Sequence, residues 1–184
     1  TIANNFPKDM EAKLGENYMA IAEQYGFVDE KKTALIKTFA QDINFDTEYN
    51  LDFYVVESDM VNAFALPGGK IIVFSALIDS MQNYHQLISL LGHETGHVEL
   101  RHSLQSIFRE QSYQILFSAL SGGNNEIIET YIGVASTLNS LHDSRSHEKQ
   151  ADNYALKILL LNNSDPAGVV QLFEILASGG GDSY

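Results

Sequence analysis

The stretch His93-Glu94-Thr95-Gly96-His97 places two imidazoles and a carboxylate within five residues. It continues residues 83–92, a run that is predicted to be helical, and apolar residues before and after it give that helix a buried side. On a helix, His93 and His97 project from one face and are separated by about 6 Å along the axis. Two imidazole nitrogens in this position can bind one metal ion.

The pattern H-E-x-x-H is the arrangement used by zinc peptidases, in which the glutamate reaches a water on the metal without being a ligand. The alternative interpretation is a polar helix face with two surface histidines. The motif alone does not decide between them. A third ligand, an edge that binds substrate and a suitable scaffold must come from the rest of the chain.

Composition limits the kind of protein that this chain can be. Its 184 residues, 45% of them hydrophobic, suffice for one domain with a substantial core. The net charge of −13 disfavours binding to nucleic acid or to anionic lipid. The chain has no cysteine, so a metal site must use histidines and carboxylates.

The chain is predicted to be a single domain, residues 1–184, with three parts. Residues 1–45 form a helical scaffold, 51–80 a sheet with a substrate edge strand, and 83–177 a helical part with the metal site. The start at Thr1 lacks a signal-type apolar run, so we expect a processed or trimmed start. A transmembrane helix requires about 18 consecutive apolar residues, and no stretch of this sequence is that long.

Three short segments predict a small antiparallel or mixed sheet. They are residues 51–57, 62–66 and 70–74, and the Pro-Gly-Gly turn at 67–69 predicts a hairpin between the last two. Residues 62–66 carry little side-chain bulk, as an edge strand that accepts a peptide backbone does. A plain sheet edge fits the same composition.

Helical spacing accounts for most of the remaining chain. The helices after the metal motif are expected to pack on the core, to cover the site or to touch a partner or membrane surface. The predicted helices are residues 9–25, 31–43, 103–120, 126–141, 153–161 and a last one that starts at 165–166.

A third metal ligand is predicted on a second helix. Glu148 and Asp152 lie four residues apart and share one face. Glu148 supplies the missing carboxylate, and a carboxylate one turn later can orient a ligating imidazole through its other nitrogen. His142 and His147 lie near Glu148 and compete with it for the metal.

His102 is a further alternative ligand, five residues after His97. In metzincins the third histidine follows the second by six residues, with a glycine at the third position, where this chain has Leu100. The spacing therefore favours a helix-surface or partner-packing role for His102.

Several segments together resemble one family. The chain is similar to the zinc metallopeptidases related to the CAAX prenyl endopeptidase and the HtpX quality-control protease, in the gluzincin branch. The similarity spans residues 51–177, and soluble bacterial envelope members look most similar. The matching segments, in order, are residues 62–69, 93–97, 101–102, 144–145, 147–148, 151–152 and 165–166.

The resemblance implies an α+β fold, mostly helical and zincin-like (minigluzincin), with a small sheet and an active-site helix. It implies one zinc ion per chain, held by His93, His97 and Glu148. Glu94 would be the general base, and Asp152 would orient His93. Arg145 belongs to the family pattern, either steadying the carboxylates or helping to hold an oxyanion, and His142 and Tyr154 are alternatives for that last role.

The resemblance also implies a function, the hydrolysis of peptide bonds in unfolded or misfolded polypeptides in a bacterial envelope or periplasm. Association with a membrane or envelope protein is a further expectation, and nucleic acid is not an expected partner. The alternatives are a latent or chaperone-like module with weak proteolysis and a zinc ion that only joins helices. The residues expected to contact substrate are Asn62, Ala63, Phe64 and Ala65.

Two positions depart from the family pattern. Gln150 stands where many members have glutamate, a difference that does not affect the ligand set. Members commonly carry a His-Pro segment after the last helix, and this chain reaches Tyr184 without one. A further histidine that gates the metal or stabilises a transition state is therefore not assigned.

Overall fold

A computed structural model describes residues 2–23, 25–110 and 145–179. The predicted helix at 126–141, most of the one at 103–120 and His142 lie outside this part of the chain. Within it, no helix combines the length and apolar character needed to cross a membrane. The helices are α1 (Lys8–Ala22), α2 (Glu30–Ala40), α3 (Ser75–Ser80), α4 (Tyr84–Glu99), α5 (residues 102–110), α6 (Arg145–Leu161) and α7 (Ala167–Ser178).

The three described strands form one mixed sheet in the order β1-β3-β2, with β1 (Asp52–Val56), β2 (Ala63–Ala65) and β3 (Lys70–Phe74). β2 and β3 are antiparallel and joined through a turn at Pro67–Gly69, which confirms the predicted hairpin. β1 is parallel to β3. Gly68 and Gly69 have φ of 81° and 102°, a region that glycine adopts without strain.

Helix α4 lies at the centre of the molecule. It begins at a capping box, in which the Asn83 side chain accepts from the backbone N–H of Gln86 and the Gln86 side chain accepts from that of Asn83. From Ile88 to Val98 every residue is buried, and the helix packs against β2, α6 and α7. The predicted buried helix is confirmed, and the chain is a mostly helical α+β domain of the zincin-like type.

Helices α4 and α6 approach each other closely because small residues line their contact. A Cβ atom on Gly92 would lie 3.2 Å from the Cα of Ala155, and one on Gly96 would lie 3.1 Å from the Cα of Ala151. Gly96 also faces the Cβ of Tyr154, at 2.8 Å from such an atom. This close crossing brings the first turns of α6 against the last turns of α4.

The end of α4 is anchored by an ion pair between the half-buried Arg101 and the buried Glu11. Arg101 has a left-handed backbone, with φ of 57°, and its guanidinium lies 3.3 Å from the carboxylate of Glu11 on α1. The same guanidinium donates to the carbonyls of Ala3 and Phe6 and to the hydroxyl of Tyr49. The left-handed backbone at Arg101 therefore separates α4 from α5.

Candidate metal centre

Three side chains from α4 and α6 meet at one point. The Nε2 atoms of His93 and His97 lie 3.0 Å apart. The Glu148 carboxylate lies 3.4 Å from Nε2 of His93 and 3.6 Å from Nε2 of His97. Both histidines are only 3% exposed, which excludes the interpretation as two surface histidines.

The donor set fits a tetrahedral metal ion. Two nitrogens and a carboxylate oxygen are typical ligands of catalytic zinc sites. Ligands at zinc bond lengths in a tetrahedron are about 3.3 Å apart, and the three measured separations lie on both sides of this value. All three ligand atoms lie within 4.8 Å of one another. His93, His97 and Glu148 are therefore placed to hold one divalent cation.

Asp152 lies one turn after Glu148 and contacts the other nitrogen of His93, with Nδ1 3.1 Å from the carboxylate. Donation of the Nδ1 proton to Asp152 leaves the Nε2 lone pair directed at the cluster. Burial lowers the pKa of His93, but the carboxylates of Asp152, Glu148 and Glu94 outweigh it and raise this pKa to about 10. The surroundings of His93 thus stabilise positive charge at its ring, either as an added proton or as a bound metal ion.

Glu94 is fully buried beside the two histidines on α4. Its negative charge is one of the influences that raise the pKa of His93, so it acts on the cluster without being among the three ligand residues. A carboxylate held next to a metal, but not bound to it, is the arrangement that a general base requires.

His102 is buried, at 1% exposure, and its interpretation as a helix-surface residue is wrong. Its Nδ1 lies 3.1 Å from Nδ1 of His97, the ring nitrogen that does not face the other ligands. Burial, together with the nearby His147, lowers the pKa of His102 to about 4. No sequence signal identified this contact, because spacing arguments assume a continuous helix and the helix ends before Arg101.

The other predicted polar residues are placed as follows. Arg145 is the first residue of α6, and its side chain is exposed. The single proton of the Tyr154 hydroxyl is shared between the carbonyls of Phe45 and Asp46, at 3.0 and 2.8 Å, so it is already engaged with that loop. The ring of His147 stacks on His102, with centroids 4.0 Å apart, and His147 is not one of the three ligand residues.

β2 is an edge of the three-stranded sheet and packs against α4. Asn62 and Leu66 are hydrogen-bonded to β3, so the alternation of an antiparallel pair turns the peptide groups of Ala63 and Ala65 away from β3. The Ala65 carbonyl accepts from the Ser103 hydroxyl at 2.5 Å, and the Ala63 N–H donates to the Asn62 side chain at 2.8 Å. These two outward groups are therefore already bonded within the chain, and every residue of β2 is buried.

A zincin-like fold with a His-His-Glu cluster and an adjacent glutamate defines a metalloendopeptidase domain. The family model for Peptidase family M48 matches residues 29–181, and the chain belongs to this family. This confirms the resemblance to the gluzincin proteases.

Three relatives illustrate the similarity. Metalloprotease YcaL of Escherichia coli is 31% identical over 183 residues, covering 96% of this chain and 68% of YcaL. Mitochondrial metalloendopeptidase OMA1 of Arabidopsis thaliana is 32% identical over 130 residues, covering 70% of this chain and 26% of OMA1. Beta-barrel assembly-enhancing protease of Yersinia pestis is 27% identical over 137 residues, covering 68% and 28%. The chain thus spans about two thirds of YcaL and about a quarter of the other two.

Proposed function

We propose that this domain is a zinc metalloendopeptidase that hydrolyses peptide bonds in unfolded or misfolded polypeptides. The observation that carries the proposal is the cluster of His93, His97 and Glu148, with Glu94 buried beside it. Metalloproteases among the relatives support the reaction class. Zinc is the metal proposed because the donor set is nitrogen and carboxylate and the chain offers no thiolate.

The residues of the site divide the chemistry between them. When bound to the cluster, zinc supplies Lewis acidity to the scissile carbonyl and to the attacking water. Glu94 accepts a proton from that water as the new C–O bond forms. It passes the proton to the departing amine as the C–N bond breaks. Asp152 holds the ring of His93 in place throughout.

The substrate backbone is proposed to lie along β2. An extended segment would use the outward Ala63 carbonyl and Ala65 N–H, because the Ala63 N–H and the Ala65 carbonyl already bond to Asn62 and Ser103. Asn62 and Phe64 complete the edge. Recognition through main-chain groups tolerates many side chains, which suits substrates without a fixed sequence. Arg145 is proposed to steady the carboxylates or the oxyanion, from its position three residues before Glu148.

A second candidate is a latent or chaperone-like module with weak proteolysis. Burial favours it, because Glu94, His93 and His97 are all almost inaccessible in this conformation. A bacterial envelope or periplasmic location is also proposed, supported by a bacterial relative named for beta-barrel assembly. Polypeptides are the proposed partners in either case.

Cleavage of casein, with zinc content measured on each sample, tests the proposal. We compare the wild type with Glu94→Gln and Glu148→Ala, and use Glu99→Gln as the control because Glu99 lies exposed at the end of the same helix. We expect cleavage by the wild type and the control. Glu94→Gln should retain zinc and lose about 10²- to 10⁴-fold in rate, and Glu148→Ala should lose zinc.

The other outcomes distinguish the proposed enzyme from the alternatives. Normal cleavage by Glu94→Gln contradicts its role as the base. Zinc retained by Glu148→Ala contradicts its role as a ligand. One bound zinc per chain with no cleavage by the wild type supports the latent module.

A further inference from the structure

The two metal-facing histidines have different partners on their outer nitrogens. His93 has the carboxylate of Asp152, whereas the Nδ1 of His97 faces the Nδ1 of another imidazole, His102, at 3.1 Å. The first arrangement is the usual one for a metal ligand. The second is the feature that neither the sequence pattern nor the proposed ligand set explains.

The required proton positions follow from the ligand geometry. His97 faces the cluster through Nε2, so its Nε2 must carry a lone pair and its Nδ1 a proton. His102 shares a proton on Nδ1 of His97 only if Nδ1 of His102 is an acceptor. A neutral His102 with its own proton on Nε2 satisfies this condition.

His102 is held firmly in this position. The residue before it, Arg101, is fixed by the Glu11 carboxylate, and the residue after it, Ser103, donates to the Ala65 carbonyl on β2. The ring itself stacks on His147 with an interplanar angle of 10°. Its neighbours therefore leave His102 little freedom to turn away from His97.

We propose that His102 is a positioning residue that accepts a hydrogen bond from Nδ1 of His97 and so directs Nε2 of His97 toward the metal. The proposal rests on the metal site of the proposed function. It gives His97 an outer partner comparable to Asp152, but uncharged. Because His102 lies between Arg101 and Ser103, it also joins the metal site to the segment that contacts β2.

Zinc affinity is the first test, measured by competition with a chromophoric chelator. His102→Phe keeps a ring to stack on His147 but removes the acceptor, and we expect zinc binding about 10- to 100-fold weaker. His102→Asn restores an acceptor near the position of Nδ1, and we expect it to recover most of the affinity. His85→Asn is the control, because His85 contacts Ser164 and Asp165 instead of the cluster.

The tautomer of His102 is the second test and does not depend on activity or on any variant folding. In ¹H–¹⁵N spectra of the zinc-loaded wild type, we expect His102 to carry its proton on Nε2 alone. A proton on Nδ1 of His102 overturns the proposal, as does wild-type affinity in His102→Phe. Equal losses in the Phe and Asn variants also overturn it.

These results are distinguishable from failure of the proposed function. A wild type that binds zinc without cleaving casein contradicts the proposed activity. The role of His102 is then still decided by the zinc affinities of its variants and by the tautomer of its ring. A wild type that binds no zinc overturns both.

Discussion

The crossing of α4 and α6 and the outer edge of β2 face the same proposed reaction but are built differently. The crossing acts through side chains, with two histidines from one helix and a carboxylate from another within 4.8 Å of one another. The edge is proposed to act through the peptide groups of Ala63 and Ala65, which point away from β3. Under the proposed function, metal binding depends on the identity of the side chains, whereas substrate recognition depends on the direction of the backbone.

The largest expected effect comes from forcing the two helices apart. Gly96→Ala places a Cβ 2.8 Å from the Cβ of Tyr154 and should destabilise the fold by about 1–3 kcal/mol. Because α6 carries Glu148, zinc affinity should fall as well. Urea unfolding with and without zinc measures both, and Lys149→Ala, exposed on α6, is the control. Unchanged zinc affinity in a destabilised Gly96→Ala contradicts the dependence of the site on this contact.

The next effect concerns the outer partner of His93. Asp152→Asn removes the charge that orients the ring and should weaken zinc binding about 10- to 100-fold while the fold persists. Chelator competition measures the affinity. Asp79→Asn serves for comparison, because Asp79 pairs with Lys32 on the surface. An Asp152→Asn protein with wild-type zinc affinity would show that this contact does not orient the ligand.

A smaller effect should come from the substrate backbone. N-methylation of one amide that lies along β2 removes one main-chain hydrogen bond, worth about 0.5–1.5 kcal/mol. We therefore expect kcat/KM to fall about 3- to 10-fold, with no change in zinc content. Replacing the side chain at the same substrate position is the control and should change kcat/KM less. The reverse order of effects would indicate that side chains, rather than the backbone, are recognised.

The smallest effect concerns the loop held by Tyr154. Burial, then Glu99 and Asp46, raises the pKa of Tyr154 to about 12 from an ordinary value near 10. The neutral Tyr154 hydroxyl therefore stabilises the folded state fully below pH 10, and this stabilisation is lost as the pH rises through 12. Tyr154→Phe should lose about 1 kcal/mol of unfolding free energy at pH 8, and the difference from the wild type should shrink at pH 11.

Urea unfolding at the two pH values measures this difference. Tyr84→Phe is the control, because Tyr84 is an exposed tyrosine. A difference that stays constant or grows between pH 8 and pH 11 contradicts the assigned hydrogen bonds.

Features set by local spacing were predictable from the sequence. The i, i+4 pairs His93–His97 and Glu148–Asp152 place their side chains on single helix faces, and the structure brings both pairs together. The β2–β3 hairpin was predictable from the turn at Pro67–Gly69. In each case, residues a few positions apart determine the geometry.

Features that depend on distant residues were not predictable in the same way. The parallel pairing of β1 with β3 is made across the intervening β2 hairpin. The close contact between Gly96 and Ala151 depends on how α4 and α6 pack together, which the spacing of residues in the sequence does not specify. His102 is buried directly after Arg101, whose left-handed backbone is not implied by the identity of an arginine.

The proposed enzyme requires one zinc ion held by His93, His97 and Glu148. A crystal structure of the zinc-loaded protein, with anomalous data at the zinc edge, tests it most directly. We predict one peak within about 2.0–2.2 Å of both Nε2 atoms and of a Glu148 oxygen. A peak bound to His102 or His147 in place of Glu148, or no peak between α4 and α6, would contradict it.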